Sequence, residues 1–216
     1  MPVKSHYRLW YKTLGNARII TILLLALILP ALFYLYYYQS PDKEIAVIAL
    51  RRYIQATYPL IVLINPVTAL KAYCEQPQKE LLLQIDRRMR LKIALFIIIP
   101  TYLAALISLI AFYFLGMASY DLIIILLVSI MFQYSVAYTV AVISSSVGAA
   151  IFFLISYAVI NVSGQGELPL FPFYYTFTKV SLRVNFSKII LYLLFTIALP
   201  AISAIWEQRH ILRKNY

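Results

Sequence analysis

From Leu122 to Ile160 the chain runs for thirty-nine residues without a charged side chain. As a single helix at 1.5 Å per residue, this run would measure about 58 Å, nearly twice the ~30 Å hydrocarbon core of a bilayer. It must therefore fold back on itself. Ser144-Ser145-Ser146, followed by Gly148, is where turn-forming residues interrupt the apolar pattern. Two crossings result, at about residues 122–142 and 147–162.

The rest of the chain is of the same kind. Of 216 residues, 63% are hydrophobic and 12% are charged, about half the ~25% charge of an ordinary soluble domain. A soluble monomer cannot hide that much apolar surface. Ile19 to Tyr38 has the length of a span, with Pro30 placed to kink it and Tyr34, Tyr36, Tyr37 and Tyr38 closing it as an aromatic belt. The next apolar run contains Arg51, Arg52, Gln55 and Asn65, which places its crossing at about 53–70 and residues 44–52 on the outer surface. Further crossings fall at 93–115 and, with Pro200 inside, at 189–206, while Gly116 to Asp121 reads as a short turn. Ahead of them all, Lys4, Arg8 and Lys12 recur at i, i+4, i+8 beside Tyr7, Trp10, Tyr11 and Leu14, the pattern of an interfacial helix over residues 4–16. The expected fold is thus all-α: one polytopic membrane domain of six transmembrane helices with an N-terminal amphipathic elbow. A frayed basic tail is the plainer reading of residues 4–16.

The net charge of +11 does not point to nucleic acid, because no basic stripe lies on a soluble fold. Basic residues beside apolar spans mark cytoplasmic loops next to anionic lipid. With both termini inside, thirteen lysines and arginines fall on the cytoplasmic side and six outside. That bias predicts a multi-pass protein of the plasma membrane with cytoplasmic termini. Cys74 is the only cysteine, and His6 and His210 stand in terminal basic segments, so no metal or cofactor is expected. No pair of acids, or histidine with an acid, lies inside a span to support catalysis within the bilayer. Asn161-Val162-Ser163 and Asn185-Phe186-Ser187 match the glycosylation triplet, a pattern short enough to recur by chance. Gln133, Tyr134, Ser135 and Tyr138 could line a polar face, although small and hydroxyl residues also serve plain helix packing.

Against this background the stretch from Glu75 to Lys92 stands out as the long, densely charged interior segment. Pro77 suits a first helical position and Lys79 to Ile85 can continue as a short helix, too charged to span, lying along the cytoplasmic face. Glu80, Gln84, Arg87 and Arg88 would then face water or a partner, with Leu82 and Ile85 as anchors. A solvated loop whose basic residues only fix orientation remains the alternative.

Glu75, then Lys79-Glu80-Leu81-Leu82-Leu83-Gln84-Ile85, Arg87-Arg88 and Lys92 entering an apolar span, resembles the first cytoplasmic loop of type-2 ABC exporter permeases. It departs from that loop at Gln78-Lys79, where a Gly-Thr pair is usual, and at Asp86, where a proline is usual. The wider plan is similar too, and Gly164 to Phe177 resembles the family's aromatic outer segment. The resemblance implies a non-catalytic permease subunit of an exporter. Glu75, Lys79, Glu80, Leu82, Gln84, Arg87 and Arg88 would form a coupling helix docked on a separate cytoplasmic ATPase. Lys4, Arg8, Trp10 and Lys12 would form the elbow, and Phe171, Phe173, Tyr174 and Tyr175 an outer gate. A second permease subunit, identical or not, would complete the path. No G-x-x-x-x-G-K-[ST] phosphate loop occurs among only five glycines, so this chain would need an external ATPase. A small-molecule-capturing membrane subunit of an ATP-driven importer is the alternative function.

Overall fold

The computed structural model describes residues 14–75, 89–163 and 182–214, and these are helical almost throughout. Helix α1 spans Ala17–Gln39, α2 Lys43–Ala69, α3 Met89–Phe114, α4 Tyr120–Ser144, α5 Val147–Ser163 and α6 Leu182–Lys214. Five helices have stretches long and apolar enough to cross a membrane: α1, α2, Ile97–Phe114 of α3, α4 and Ile189–Trp206 of α6. Six crossings are expected from the sequence, and α5, with 17 residues and thus about 25 Å, is shorter than the other five. The architecture is that of a multi-pass membrane protein.

Helices α1, α2 and α3 run antiparallel in succession. Thr21 lies against Asn65 and Phe33 against Tyr58, so α1 and α2 pass in opposite directions. Thr101 against Val62 and Ser108 against Tyr58 give the same sense for α2 and α3. Helix α4 is the centre, packing most extensively on α6 and also on α5 and α2. Helix α1 sits on the far side, against α2 and α3.

The α1–α2 hairpin closes through Lys43. Its ammonium donates to the carbonyls of Tyr37, Tyr38 and Ser40 at 2.7, 2.9 and 3.0 Å, satisfying the orphan acceptors at the end of α1. The same ammonium stands 5.0 Å from the Tyr37 ring centroid. Asp42 caps α2, accepting from the amides of Glu44 and Ile45 at 2.9 and 3.1 Å. Helix α2 begins at Lys43 and runs unbroken into and through the expected crossing at about 53–70. Ala46, Leu50, Ile54, Tyr58 and Val62, each four residues apart, form its buried ridge. Arg51 and Arg52 fall off that ridge, so they do not interrupt the helix.

Prolines shape four of the helices, and in two cases a neighbour repairs the damage. Pro30 follows a π-helical turn at Leu24–Ile28, whose wider bore makes room for its ring. Pro66 in α2 has no N–H for the carbonyl of Val62, and Thr101 of α3 reaches that carbonyl with its hydroxyl at 3.2 Å. Pro200 in α6 likewise frees the carbonyl of Thr196, which accepts from Ser135 of α4 at 3.0 Å. In hydrocarbon a freed carbonyl has no water to turn to, so these hydroxyls stitch α2 to α3 and α4 to α6. Alongside, the rings of Phe132 and Tyr192 stack at 4.8 Å.

The turns follow ordinary chemistry. Gly116, at φ 74°, ends α3 in a Schellman arrangement, with Met117 N–H bonded to Phe112 O and Gly116 N–H to Tyr113 O. Ser119 then caps α4. At the other end of the bundle α4 stops at Ser144, Ser145 takes the left-handed conformation, and α5 starts at Val147.

Candidate functional site

Of the residues singled out in the charged stretch, Glu75 is the one the structure describes. Lys79, Glu80, Leu82, Gln84, Arg87 and Arg88 lie outside the described residues, as do Lys4, Arg8, Trp10 and Lys12 of the elbow and Phe171, Phe173, Tyr174 and Tyr175 of the outer segment. Leu14 is the first described residue, and Gly15, at φ 51°, makes the turn into α1.

Glu75 closes a single helical turn, Lys71–Cys74, that continues the line of α2. Its amide still donates to the Lys71 carbonyl at 3.0 Å, which fixes its backbone. From there its carboxylate reaches across the bundle and accepts from the backbone amide of Val147 at 2.6 Å. Val147 is the first residue of α5, where the amides have no helical partner and the partial charge is positive. The bond is thus a short, charge-assisted cap supplied by a residue 72 positions away. Ser146 adds a local cap, accepting from the Ala149 amide at 3.3 Å. Ser144 braces the turn by donating to the Val140 carbonyl at 2.6 Å. The start of the charged stretch and the α4–α5 turn are therefore one mechanical unit.

A second set of polar atoms lies within α4. Ser129, Gln133, Ser135 and Thr139 are all buried, and Gln133 donates to the Ser129 hydroxyl at 3.1 Å. Among the described residues the Gln133 carbonyl oxygen, the Tyr134 hydroxyl and the Thr139 hydroxyl are buried without a hydrogen-bond partner. An unpartnered buried group of this kind costs about 1–3 kcal/mol, so plain packing does not account for three of them on one helix. Identity and spacing pointed to Gln133 and Tyr134 in the sequence, but no sequence signal distinguishes a satisfied hydroxyl from an orphaned one.

At the opposite end, between the close of α1 and the start of α2, an open groove of about 350 Å³ is lined by Tyr37, Lys43, Glu44, Val47, Ile48 and Arg51. Lys43 is already committed there to the carbonyls of α1. Among the described residues no three of His, Cys, Asp and Glu come together as a metal site. Comparison of the chain with protein-family models, curated proteins and solved structures gave no match.

Proposed function

We propose that this chain is the permease subunit of an ATP-binding-cassette exporter of the plasma membrane, with both termini cytoplasmic. A separate cytoplasmic ATPase hydrolyses ATP, and a second six-helix subunit, identical or not, completes the substrate path. The observation that carries the reading is the bond from Glu75 to the Val147 amide. Movement delivered to the charged stretch after Glu75 would pull on the first turn of α5 instead of dissipating in a loop. The resemblance of that stretch to a permease docking loop supports the same assignment. So do the unpartnered oxygens on α4, the helix joined to α5 by the braced serine turn, which would meet a passing substrate. An exporter of this design moves between two access states as the ATPase dimer closes.

The test is to isolate the complex from membranes, identify its companions, and compare ATP hydrolysis with and without the membrane subunit in lipid nanodiscs. Reversing charge at Glu75 or Glu80 is expected to abolish the influence of the membrane subunit on hydrolysis, while membrane insertion stays intact. A chain that purifies without any ATPase, or a Glu75→Lys variant with undiminished control of hydrolysis, would end this reading.

A further inference from the structure

Two charges of α2 stand unpaired in the groove between the end of α1 and the start of α2. Glu44, Val47, Ile48 and Arg51 recur at i, i+3, i+4, i+7 and so share one face of the helix, with Tyr37 of α1 and Lys43 completing the lining. Seven residues put Glu44 and Arg51 about 10 Å apart along the axis. Among the described residues, Glu44 bonds through its amide to Asp42 and Arg51 through its carbonyl to Gln55, and neither side chain has a hydrogen bond or an ion pair. The Arg51 Nε is moreover buried without a hydrogen-bond partner, which is costly for a charged group. Lys43 leaves the groove to these two, since its ammonium is held by three backbone carbonyls.

An acid and a guanidinium held apart on one face, with Val47 and Ile48 between them, fit a ligand that carries both charges and an apolar part. Depth sets the order of those charges. Glu44 stands in the first turn of α2, and Arg51 lies two turns further toward the middle of the span. Tyr53, two residues on, meets Tyr36 of α1 edge-on at 6.5 Å, so Arg51 lies at the level of the aromatic belt where headgroups reside. A phospholipid presents its charges in this same order, with the phosphate next to the glycerol and the ammonium at the outer tip. A soluble zwitterion has no membrane to orient it, so the order favours lipid. We propose that Glu44 and Arg51 form a headgroup site for a zwitterionic phospholipid, the guanidinium holding the phosphate and the carboxylate the ammonium. The site rests on the membrane-spanning fold and is independent of the transport reading.

The experiment uses the full chain, stripped of lipid by detergent exchange and titrated with phosphatidylethanolamine or with phosphatidylglycerol of the same acyl chains, while adducts are followed by native mass spectrometry. One saturable phosphatidylethanolamine adduct is expected. Phosphatidylglycerol, which has the phosphate but no ammonium, should bind about tenfold or more weaker, the size of a lost hydrogen bond to a charged group. Arg51→Gln should weaken both lipids by a similar factor, whereas Glu44→Gln should weaken phosphatidylethanolamine alone and so erase the preference. That split separates a two-point site from general attraction to charge. Equal binding of the two lipids by the unaltered chain, an unchanged preference in Glu44→Gln, or unchanged binding in a folded Arg51→Gln variant would overturn the proposal. Glu44 is exposed, so its variant decides the matter even if Arg51→Gln disturbs the helix. O-phosphoethanolamine, the headgroup without its hydrocarbon, separates the sources in a third arm. Failure to displace the lipid supports the lipid site, whereas saturable binding of the free headgroup with no lipid adduct would overturn the lipid assignment.

Discussion

Helices α1 and α4 are both long and apolar, yet they occupy opposite places in the molecule. In the most apolar stretch of α1 only 11% of residues are buried, against 67% in α4. Leu23, Leu27, Ile28, Leu32 and Leu35 of α1 face outward, and α6 resembles it, with Leu193, Leu194, Ile197 and Ile202 exposed. Helix α4 buries Ser129, Gln133, Ser135 and Thr139. The order is the reverse of a soluble protein's. Lipid solvates leucine as well as a protein core does, so apolar character gives a helix no reason to move inward. Small and polar residues do, because they allow close approach and need partners.

That contrast can be broken most directly by truncation. Ile130 of α4 is fully buried and Ile197 of α6 is 74% exposed. Ile130→Ala should cost about 2–5 kcal/mol by opening a cavity, whereas Ile197→Ala should stay within about 0.5 kcal/mol. Unfolding in mixed micelles, followed by helix content against denaturing detergent, measures both. Similar costs would mean that α4 is not the packing centre.

A smaller effect tests the proline repairs. Ser135→Ala should cost about 1–2 kcal/mol, because it abandons the Thr196 carbonyl in hydrocarbon. In a Pro200→Ala background the restored amide takes that carbonyl, and the same serine change should cost close to nothing. A double-mutant cycle without this coupling would refute the repair. The buried Tyr58 hydroxyl to Ser108 bond, at 2.9 Å, joins α2 to α3 without a proline involved. Tyr58→Phe should therefore cost only about 0.6 kcal/mol by the same titration. The least effect on stability is expected from Thr139→Val, which removes a hydroxyl that has no hydrogen-bond partner among the described residues. It should be neutral or stabilising by less than about 1 kcal/mol, and a clear loss of stability would reveal a hidden partner.

How much of this was legible beforehand depends on whether one strand of sequence or two were needed. The fold-back at Ser144–Ser146 follows from one run of residues, because thirty-nine uncharged residues exceed any single crossing. That one helix runs from Lys43 through Arg51, Arg52 and Gln55 is hidden in the sequence, where those residues read as a polar break. Only the ridge from Ala46 to Val62 shows that the arginines lie on another face of the same helix. Glu75 stood out by its charge. Its partner did not, since the Val147 amide is a backbone group and every residue but proline has one. The hydroxyl repairs were invisible for a related reason. Pro66 and Pro200 announce which carbonyls are freed, but the register that brings Thr101 and Ser135 to them exists only once the helices have packed.

The left-handed residue at the α4–α5 turn has a consequence for how the protein is made. An insertion machinery that reads hydrophobicity meets Leu122 to Ile160 as one uninterrupted signal. In the proposed six-crossing arrangement, threading the run once would carry everything downstream, α6 included, to the opposite side of the membrane. Ser145, at φ 53° and ψ 28°, keeps a conformation that disfavours a side chain by roughly 1–2 kcal/mol. In that arrangement the orientation of the last quarter of the chain depends on three serines that break the helix while the nascent chain is still being placed.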